Sequence, residues 1–265
     1  GPRTGVSQFI NAKVMTNYKL VALIVLALGL SANADTKKTG KHLFILSGQS
    51  NMTGTVKGAF TVHVAEHFGK ENSAVVMKMK SGRGIRFWVA DYRQPAGRGI
   101  SEKAMNSNGQ EYKPLIEAAL AAAKDESFDT VGFIWMQGES DANNRLSEVY
   151  EDSFLKLIGQ LRKDLKREDL YYVIGRINDY ARSRPDNAHW HRVRETQVKL
   201  GKTPGNAWID TDDLNGGDAG NPDGDIHFPK EGAATLGQRF AKKAIELIRK
   251  RSAGSANKLE SRKEE

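Results

Sequence analysis

The chain has 265 residues, a length that suits one α/β domain and its two ends. Its hydrophobic content of 39% and its scattered glycines are ordinary for a globular protein, which excludes a fibre, a repeat array or a wholly disordered chain. No cysteine is present, so disulfides, thiol nucleophiles and thiolate metal sites are excluded.

The net charge of +8 lies mostly at the two ends of the chain. Residues 1–34 carry +3 and residues 249–265 carry +3, which leaves +2 for the region between them. Because so small an excess forms no basic face, we expect no nucleic-acid partner.

The first pattern along the chain is typical of a secretory signal. Met15 and Lys19 precede an apolar run over residues 20–30, and Ala34 ends an Ala-x-Ala pattern. An eleven-residue helix rises only about 16 Å, whereas a bilayer core is about 30 Å thick, so a stable membrane anchor is not expected. We predict a signal peptide at residues 15–34, cleavage after Ala34 and a secreted or periplasmic protein. Residues 1–14 are interpreted as upstream or added sequence outside the fold.

Short apolar runs then alternate with helical patterns. The runs predict strands at residues 42–47, 74–79, 130–136, 170–175 and 207–210. The helical patterns cover residues 114–124, 147–166, 190–200 and 230–251. This alternation predicts an α/β fold with a parallel sheet of about five strands, covered by helices on both faces. The predicted domain is residues 38–250, followed by a charged, disordered tail at residues 251–265.

Three polar clusters stand where a parallel sheet binds ligands, outside the carboxyl ends of its strands. Residues 47–52 (Ser-Gly-Gln-Ser-Asn-Met) follow the first strand, and residues 135–141 (Trp-Met-Gln-Gly-Glu-Ser-Asp) follow the third. Residues 223–229 (Asp-Gly-Asp-Ile-His-Phe-Pro) precede the last helix. Structural interpretations exist for each, because a Gly-x-Ser turn or an Asp often caps a helix and a single His is often structural. A Ser, a His and an Asp brought together by folding would form an acyl-transfer site.

Taken together, the three clusters resemble the SGNH hydrolases, in their sialate O-acetylesterase and family six carbohydrate esterase branch, which is acetylxylan esterase-like. The resemblance implies a three-layer, flavodoxin-like fold and a serine esterase without metal or cofactor that removes acetyl groups from a carbohydrate. It implies that Ser50 is the nucleophile and His227 the general base. The oxyanion donors would be the N–H groups of Ser50 and Gly82 and the side-chain amide of Gln137, with Gly109 as the alternative to Gly82.

The acid of the triad departs from the family pattern. The superfamily places an Asp three residues before the His, and Gly224 occupies that position here. Asp225 is the preferred acid, and Asp223 is the alternative. A third possibility is a Ser–His dyad in which a backbone carbonyl orients the imidazole.

Other interpretations remain open from the sequence. A lipase or thioesterase of the same superfamily and a non-catalytic carbohydrate-binding protein are the alternative functions. Arg83, Arg86 and Trp88 would line a sugar site or would serve packing and the surface. The oligomeric state is left undetermined. The histidines with ligand-like spacings are interpreted as surface residues rather than metal ligands: His63, His67, His189 and His191.

Overall fold

The computed structural model describes residues 40–180, 187–216 and 225–261, with side chains as far as Gly254. Four sequence predictions lie outside the described residues: the upstream segment 1–14, the signal peptide 15–34, the role of Asp223 and the end of the tail, 262–265. Within the described ranges, no helix combines the length and the apolar character needed to cross a membrane.

Five parallel strands form a single sheet, which confirms the predicted fold class. The strands are β1 (His42–Gly48), β2 (Ser73–Met79), β3 (Thr130–Met136), β4 (Tyr171–Gly175) and β5 (Ala207–Ile209). Their order across the sheet is β2-β1-β3-β4-β5, the flavodoxin-like arrangement. Every residue of β1 and of β4 is buried, as the near-continuous apolar runs predict for strands covered on both faces.

The helices form the two outer layers. They are α1 (Gly54–Phe68), α2 (Glu102–Met105), α3 (Tyr112–Ala123), α4 (Glu139–Asn143), α5 (Tyr150–Leu165), α6 (Ala188–Gly201) and α7 (Lys230–Ser261). Helices α1 and α7 pack on each other, while α5 packs between α3 and α6. The direction of winding reverses between β1 and β3, so right-handed crossovers place these two groups on opposite faces of the sheet.

Helices α1, α2 and α4 are absent from the sequence prediction, and α7 continues past its predicted end. Helix α1 is absent from the predicted helices, because its Thr, Val and Gly residues are weak helix formers. Its buried residues recur every four positions, and the backbone of α7 at Gly237 approaches it closely enough that a Cβ there would lie 2.4 Å from the Val56 carbonyl. Tertiary packing therefore decides that this segment is helical.

Helix α7 continues to Ser261, so residues 251–261 are helical rather than part of a disordered tail. Arg251 donates to the carbonyls of Asp169 at 2.7 Å and Gly205 at 3.1 Å, and its guanidinium lies 4.9 Å from the Tyr171 ring centre. These contacts hold the helix against the strand β4 region beyond the predicted boundary.

The first three strands end in register at one edge of the sheet. Gly48 of β1 is paired with Met79 of β2 and with Met136 of β3. The winding reverses between β1 and β3, and this switch point is where open α/β sheets bind ligands. The polar clusters after β1 and β3 therefore begin side by side.

Gly48 is required at this edge because its backbone touches the next strand. Its φ is +145°, and a Cβ added there would lie 1.9 Å from the Met136 carbonyl oxygen. That oxygen cannot retreat freely, since it accepts a hydrogen bond of 2.9 Å from the Gln49 N–H. Only glycine fits, and the chain turns immediately after it.

We expect Gly48→Ala to lower the free energy of unfolding by about 3 kcal/mol, because the new methyl group overlaps a fixed backbone oxygen. Gly58→Ala is the matched control: nothing lies within 4 Å of a Cβ at this exposed position in α1. The control should be stabilised by about 0.5–1 kcal/mol, the usual gain from replacing a helical glycine. Urea denaturation of both variants measures the difference; equal stability of Gly48→Ala and the parent would contradict the prediction.

Candidate active site

Ser50 lies in a separate turn between β1 and α1. The turn is closed by a hydrogen bond of 2.9 Å from the Met52 N–H to the Gln49 carbonyl. Helix α1 begins only at Gly54, after Thr53 as its N-cap. Ser50 therefore belongs to this turn and not to the first turn of the helix. Among the described residues, none accepts a hydrogen bond from the Ser50 N–H.

The structure brings Ser50 and His227 together, although they are 177 positions apart in the sequence. The Ser50 Oγ and the His227 Nε2 are 3.1 Å apart, within hydrogen-bond distance. Ser50 is half-buried, and the His227 side chain is 57% exposed. A hydroxyl and an imidazole nitrogen at this separation have the geometry of a nucleophile and its base.

Asp225 is the described carboxylate nearest to the His227 ring. Its Oδ1 lies 3.8 Å from the His227 Nδ1, which is too long for a hydrogen bond, and accepts instead from the His227 backbone N–H at 3.0 Å. The Asp225 side chain is 72% exposed. The preferred acid is thus adjacent to the imidazole without being bonded to it, and the alternative, Asp223, lies outside the described residues.

Asn51 joins the Ser50 turn to the His227 loop. Its Nδ2 donates to the Ile226 carbonyl at 2.9 Å, and its Oδ1 accepts from the Phe228 N–H at 3.2 Å. These two peptide groups flank His227 on either side. One buried amide, next in sequence to Ser50, therefore sets the separation between the hydroxyl and the imidazole.

A second asparagine, Asn178, holds the same loop. Asn178, which follows β4, donates through Nδ2 to the carbonyls of Asp225 and Ile226, both at 3.2 Å. The Asp225 N–H donates to the Asn215 carbonyl at 3.3 Å, and the Asn215 side chain donates to Asp179 at 3.1 Å. The ends of β4 and β5 thus support the loop that carries His227.

The loop that carries Gly82 is tied to the end of β3. Asp141 Oδ2 accepts from the Ile85 N–H at 2.9 Å, and Gln137 Nε2 donates to the Arg83 carbonyl at 3.2 Å. Gly82 itself is exposed with a φ of +69°, and its N–H has no acceptor among the described residues. The Gly82 N–H remains available to a ligand.

The Gln137 side-chain NH₂ group is engaged inside the protein, whereas its buried Oε1 has no hydrogen-bond partner among the described residues. Its side chain is fully buried, and the Nε2, which carries two hydrogens, lies near three acceptors: Asp141 Oδ2 at 2.6 Å, Gln49 Oε1 at 3.2 Å and the Arg83 carbonyl at 3.2 Å. To donate to an oxyanion, as the family resemblance implies, Gln137 must release one of these acceptors. In the described arrangement, Gln137 holds the loop that carries Gly82 through its hydrogen bond to the Arg83 carbonyl.

Gly109, the alternative to Gly82, uses its N–H elsewhere. The N–H donates to the Arg86 carbonyl at 3.0 Å, and a Cβ at Gly109 would lie 3.0 Å from the Ala90 backbone. Gly109 is therefore part of a packed turn, and of the two glycines only Gly82 presents an unengaged N–H in the described structure.

Two carboxylates are buried beneath the site. Burial raises the pKa of Glu139 to about 7, with a further rise from the nearby Asp141 charge, while hydrogen bonds from Asn51 and from nearby backbone N–H groups oppose it. Burial likewise raises the pKa of Asp141 to about 6, against the hydrogen bonds from Gln137 and Ile85. Both pKa values are held close to neutral pH by the loss of water around the carboxylates.

A cleft of about 390 Å³ opens beside Gly82. Its lining includes Ser140 of α4 and three arginines, Arg83, Arg86 and Arg98. The Arg83 and Arg86 guanidinium carbons lie 4.4 Å and 3.9 Å from the centre of the Phe87 ring. Two of the three residues suggested for a sugar site thus line a cleft, whereas the third, Trp88, is fully buried and packs edge-on against Trp135.

Sequence reasoning did not assign roles to Asn51, Glu139 and Asn178. The first two stand inside the polar clusters already recognised, next to Ser50 and Gln137, so their positions were visible but their partners were not. Asn178 follows the end of β4, and the rule that sites form at the carboxyl ends of strands was the one signal that pointed to it. Within the described ranges, no three His, Asp or Glu side chains are grouped as a metal site would require.

The sheet order and the polar loops at its switch point define a three-layer α/β protein with its site at the carboxyl edge. The sequence matches, over residues 57–246, the family described as "Carbohydrate esterase, sialic acid-specific acetylesterase". The chain belongs to this carbohydrate esterase family, which confirms the resemblance stated from the motifs.

Solved structures show the same fold. A protein from Arabidopsis thaliana is similar with a TM-score of 0.57 and 18% identity, over 78% of this chain and 99% of that one. A carbohydrate acetylesterase from Xanthomonas citri is similar with a TM-score of 0.55 and 17% identity, over 78% of this chain and 56% of that one. The chain thus spans little more than half of the second structure. No curated protein matches the sequence.

We expect the stability of the protein to fall between pH 5 and pH 8 because of Glu139. Because its pKa is raised in the folded state, Glu139 binds its proton more tightly in the folded protein than in the unfolded chain. The resulting stabilisation is complete below the ordinary Glu pKa of 4.5 and is lost as pH rises through about 7. This change is worth about 3 kcal/mol. Glu139→Gln cannot titrate, so its unfolding free energy relative to the parent should rise by that amount from pH 5 to pH 8.

Urea denaturation at several pH values measures this difference. His42, whose pKa is lowered by burial to about 4, titrates in both proteins and therefore cancels in the comparison. Because the Asp141 charge raises the pKa of Glu139, the difference between the two proteins includes the interaction between these two carboxylates. Parallel stability curves for the parent and Glu139→Gln would show that Glu139 does not titrate in this range.

Proposed function

We propose that the chain is a secreted carbohydrate O-acetylesterase that works through a Ser50 acyl-enzyme. The observation that carries the mechanism is the 3.1 Å separation between the Ser50 Oγ and the His227 Nε2. Membership of the carbohydrate esterase family supports the ester of a sugar as the substrate. Secretion is supported by the sequence pattern of residues 15–34.

In the first half of the reaction, the Ser50 oxygen attacks the acetyl carbonyl carbon and His227 Nε2 takes the hydroxyl proton. The unengaged N–H groups of Ser50 and Gly82 are the proposed donors to the oxyanion, and each such donor is worth about 3–4 kcal/mol. Gln137 is proposed as the third donor, after releasing Gln49 or Arg83. The bond from the carbonyl carbon to the sugar oxygen then breaks, and that oxygen takes the proton from His227.

In the second half, water attacks the acetyl-Ser50 carbonyl carbon while His227 removes a proton from the water. The Ser50 oxygen leaves and recovers that proton, and acetate is released. Ser50 is only half-buried and His227 is largely exposed, so both water and a sugar hydroxyl reach the reacting atoms. The Asp225 carboxylate is proposed to orient the imidazole from its position 3.8 Å from Nδ1.

We expect the parent protein to release acetate from acetylated xylan or an acetylated sialic acid, and not to hydrolyse long-chain p-nitrophenyl esters. Ser50→Ala should fold normally and lose acetate release by at least about 10³-fold, because the nucleophile is removed. Acetate measured enzymatically over time tests both statements. Activity of Ser50→Ala within tenfold of the parent would contradict the mechanism. If the parent hydrolysed only long-chain esters, it would be a lipase. If the parent hydrolysed neither kind of ester, it would be a binding protein.

We expect Asp225→Asn to lower kcat by up to about 10⁴-fold, because the same change in another triad enzyme favours the wrong imidazole tautomer and has an effect of that size. Asp223→Asn should change kcat little. Because the two carboxylates are only two positions apart in the sequence, each variant is the charge-matched control of the other. If Asp223→Asn lowered kcat more than Asp225→Asn, Asp223 would be the residue that orients the imidazole. Near-normal kcat in both single variants and in the double variant would indicate a Ser50–His227 dyad. Thermal melts exclude loss of folding as the cause.

A further inference from the structure

Glu139 is a buried carboxylate that the proposed reaction does not use. It is 1% exposed at the start of α4, and its Oε1 accepts a hydrogen bond of 2.7 Å from Asn51 Nδ2. A buried carboxylate is costly to keep, and a neutral apolar side chain of similar volume is often as stable or more so. Stability alone therefore does not account for a carboxylate at this position.

The contact of Glu139 falls on Asn51, the side chain that joins the Ser50 turn to the His227 loop. Asn51 Nδ2 carries two hydrogens; one goes to Glu139 Oε1 and the other to the Ile226 carbonyl. Asn51 Oδ1 then faces the Phe228 N–H. All three polar positions of the amide are occupied, so its plane and its direction are both determined.

Glu139 connects that amide to a rigid part of the fold. It follows the end of β3 by only three positions, after Gln137 and Gly138, while Asn51 and the residues that flank His227 lie in a turn and a loop. A hydrogen bond to a charged acceptor is about twice as strong as a neutral one, so Glu139 is the strongest of the three partners of the amide when it is ionised. The sheet thereby determines where Asn51 holds the His227 loop.

We propose that Glu139 is a positioning residue: its carboxylate holds the Asn51 amide, and Asn51 holds the two peptide groups on either side of His227. The inference rests on the proposed function, since it assigns Glu139 to the Ser50 and His227 chemistry. Glu139 touches neither reacting atom and acts through Asn51. A displacement of about 1 Å of a catalytic group is enough to lower a rate about 10²-fold.

The first arm of the test compares Glu139→Leu with Glu139→Gln. Leucine removes the acceptor, and kcat should fall about 10²-fold with KM within threefold, because the substrate still binds while the imidazole is misplaced. Glutamine keeps an acceptor oxygen for Asn51, and kcat should stay within about fivefold of the parent. Equal loss in both variants would indicate that charge rather than the hydrogen bond matters, and would overturn the proposal.

Tyr172→Phe is the control for a purely structural effect. The Tyr172 hydroxyl is buried in β4 and lies 2.9 Å from Thr203 Oγ1, in the amino-terminal half of the strand and so away from the carboxyl edge. This variant should lower Tm and leave kcat unchanged. Glu139→Leu should have a Tm no lower than that of Tyr172→Phe. The proposal would be overturned if the kcat of Glu139→Leu stayed within threefold of the parent. It would also be overturned if the loss of kcat followed the loss of Tm across the variants.

The second arm does not require the leucine variant to fold. Asn51→Asp places an oxygen opposite Glu139 Oε1 in place of a donor, and kcat should fall at least 10²-fold. Adding Glu139→Gln supplies a donor to that oxygen and should restore kcat at least tenfold above the Asn51→Asp single variant. A double variant no faster than the single one would overturn the route through Asn51.

Labelling of Ser50 by a phosphonofluoridate gives a readout that does not depend on the sugar. The Ser50 oxygen displaces fluoride from phosphorus with the help of His227, so the labelling rate should fall in Glu139→Leu and Asn51→Asp as kcat does. If the parent is labelled but releases no acetate, the proposed substrate is wrong. The labelling rates of the variants then still test whether Glu139 positions the His227 loop. If the parent is neither labelled nor active, the proposed function fails and the inference fails with it.

Discussion

The in-register ends of β1, β2 and β3 are the constraint on which the site depends. Gly48, Met79 and Met136 lie side by side, so the loops that follow these strands leave the sheet at one edge. The contact between Gly48 and the Met136 carbonyl permits no side chain, so this register requires glycine at the end of β1. A slip of one residue would turn every side chain of β1 to the opposite face and carry Ser50 away from its partners.

Around that edge, buried polar side chains hold the reacting loops together with apolar residues such as Ile226 and Phe228, which pack against the core. Asn51 and Glu139 hold the His227 loop, while Gln137 and Asp141 hold the loop with Gly82. Such a network is costly where it is incomplete, and the raised pKa values of the two carboxylates reflect the loss of water around them. In return, loops without regular structure acquire defined positions.

The groups proposed to react are, by contrast, close to solvent. His227 and Asp225 are more than half exposed, and Ser50 is half-buried. Water weakens the attraction between an exposed carboxylate and an imidazole, so their arrangement cannot rely on charge alone. The exposed chemistry therefore depends on the hydrogen bonds beneath it, and a cleft lined by three arginines opens beside Gly82.

The sequence by itself determined the class of the fold and the family, because strands buried on both faces require continuous apolar runs and the Ser50 and Gln137 clusters stand directly after two of them. It also paired Ser50 with His227 through the types of residue that acyl transfer needs. Only the tertiary structure decided that α1 is a helix, that Trp88 is buried, that Gln137 is engaged by three acceptors and that Asn51 reaches a carbonyl 175 positions away. The reason is physical: a local pattern specifies which face of a segment is buried, whereas a hydrogen bond between distant residues depends on strand register and helix packing, which arise only when the whole chain folds.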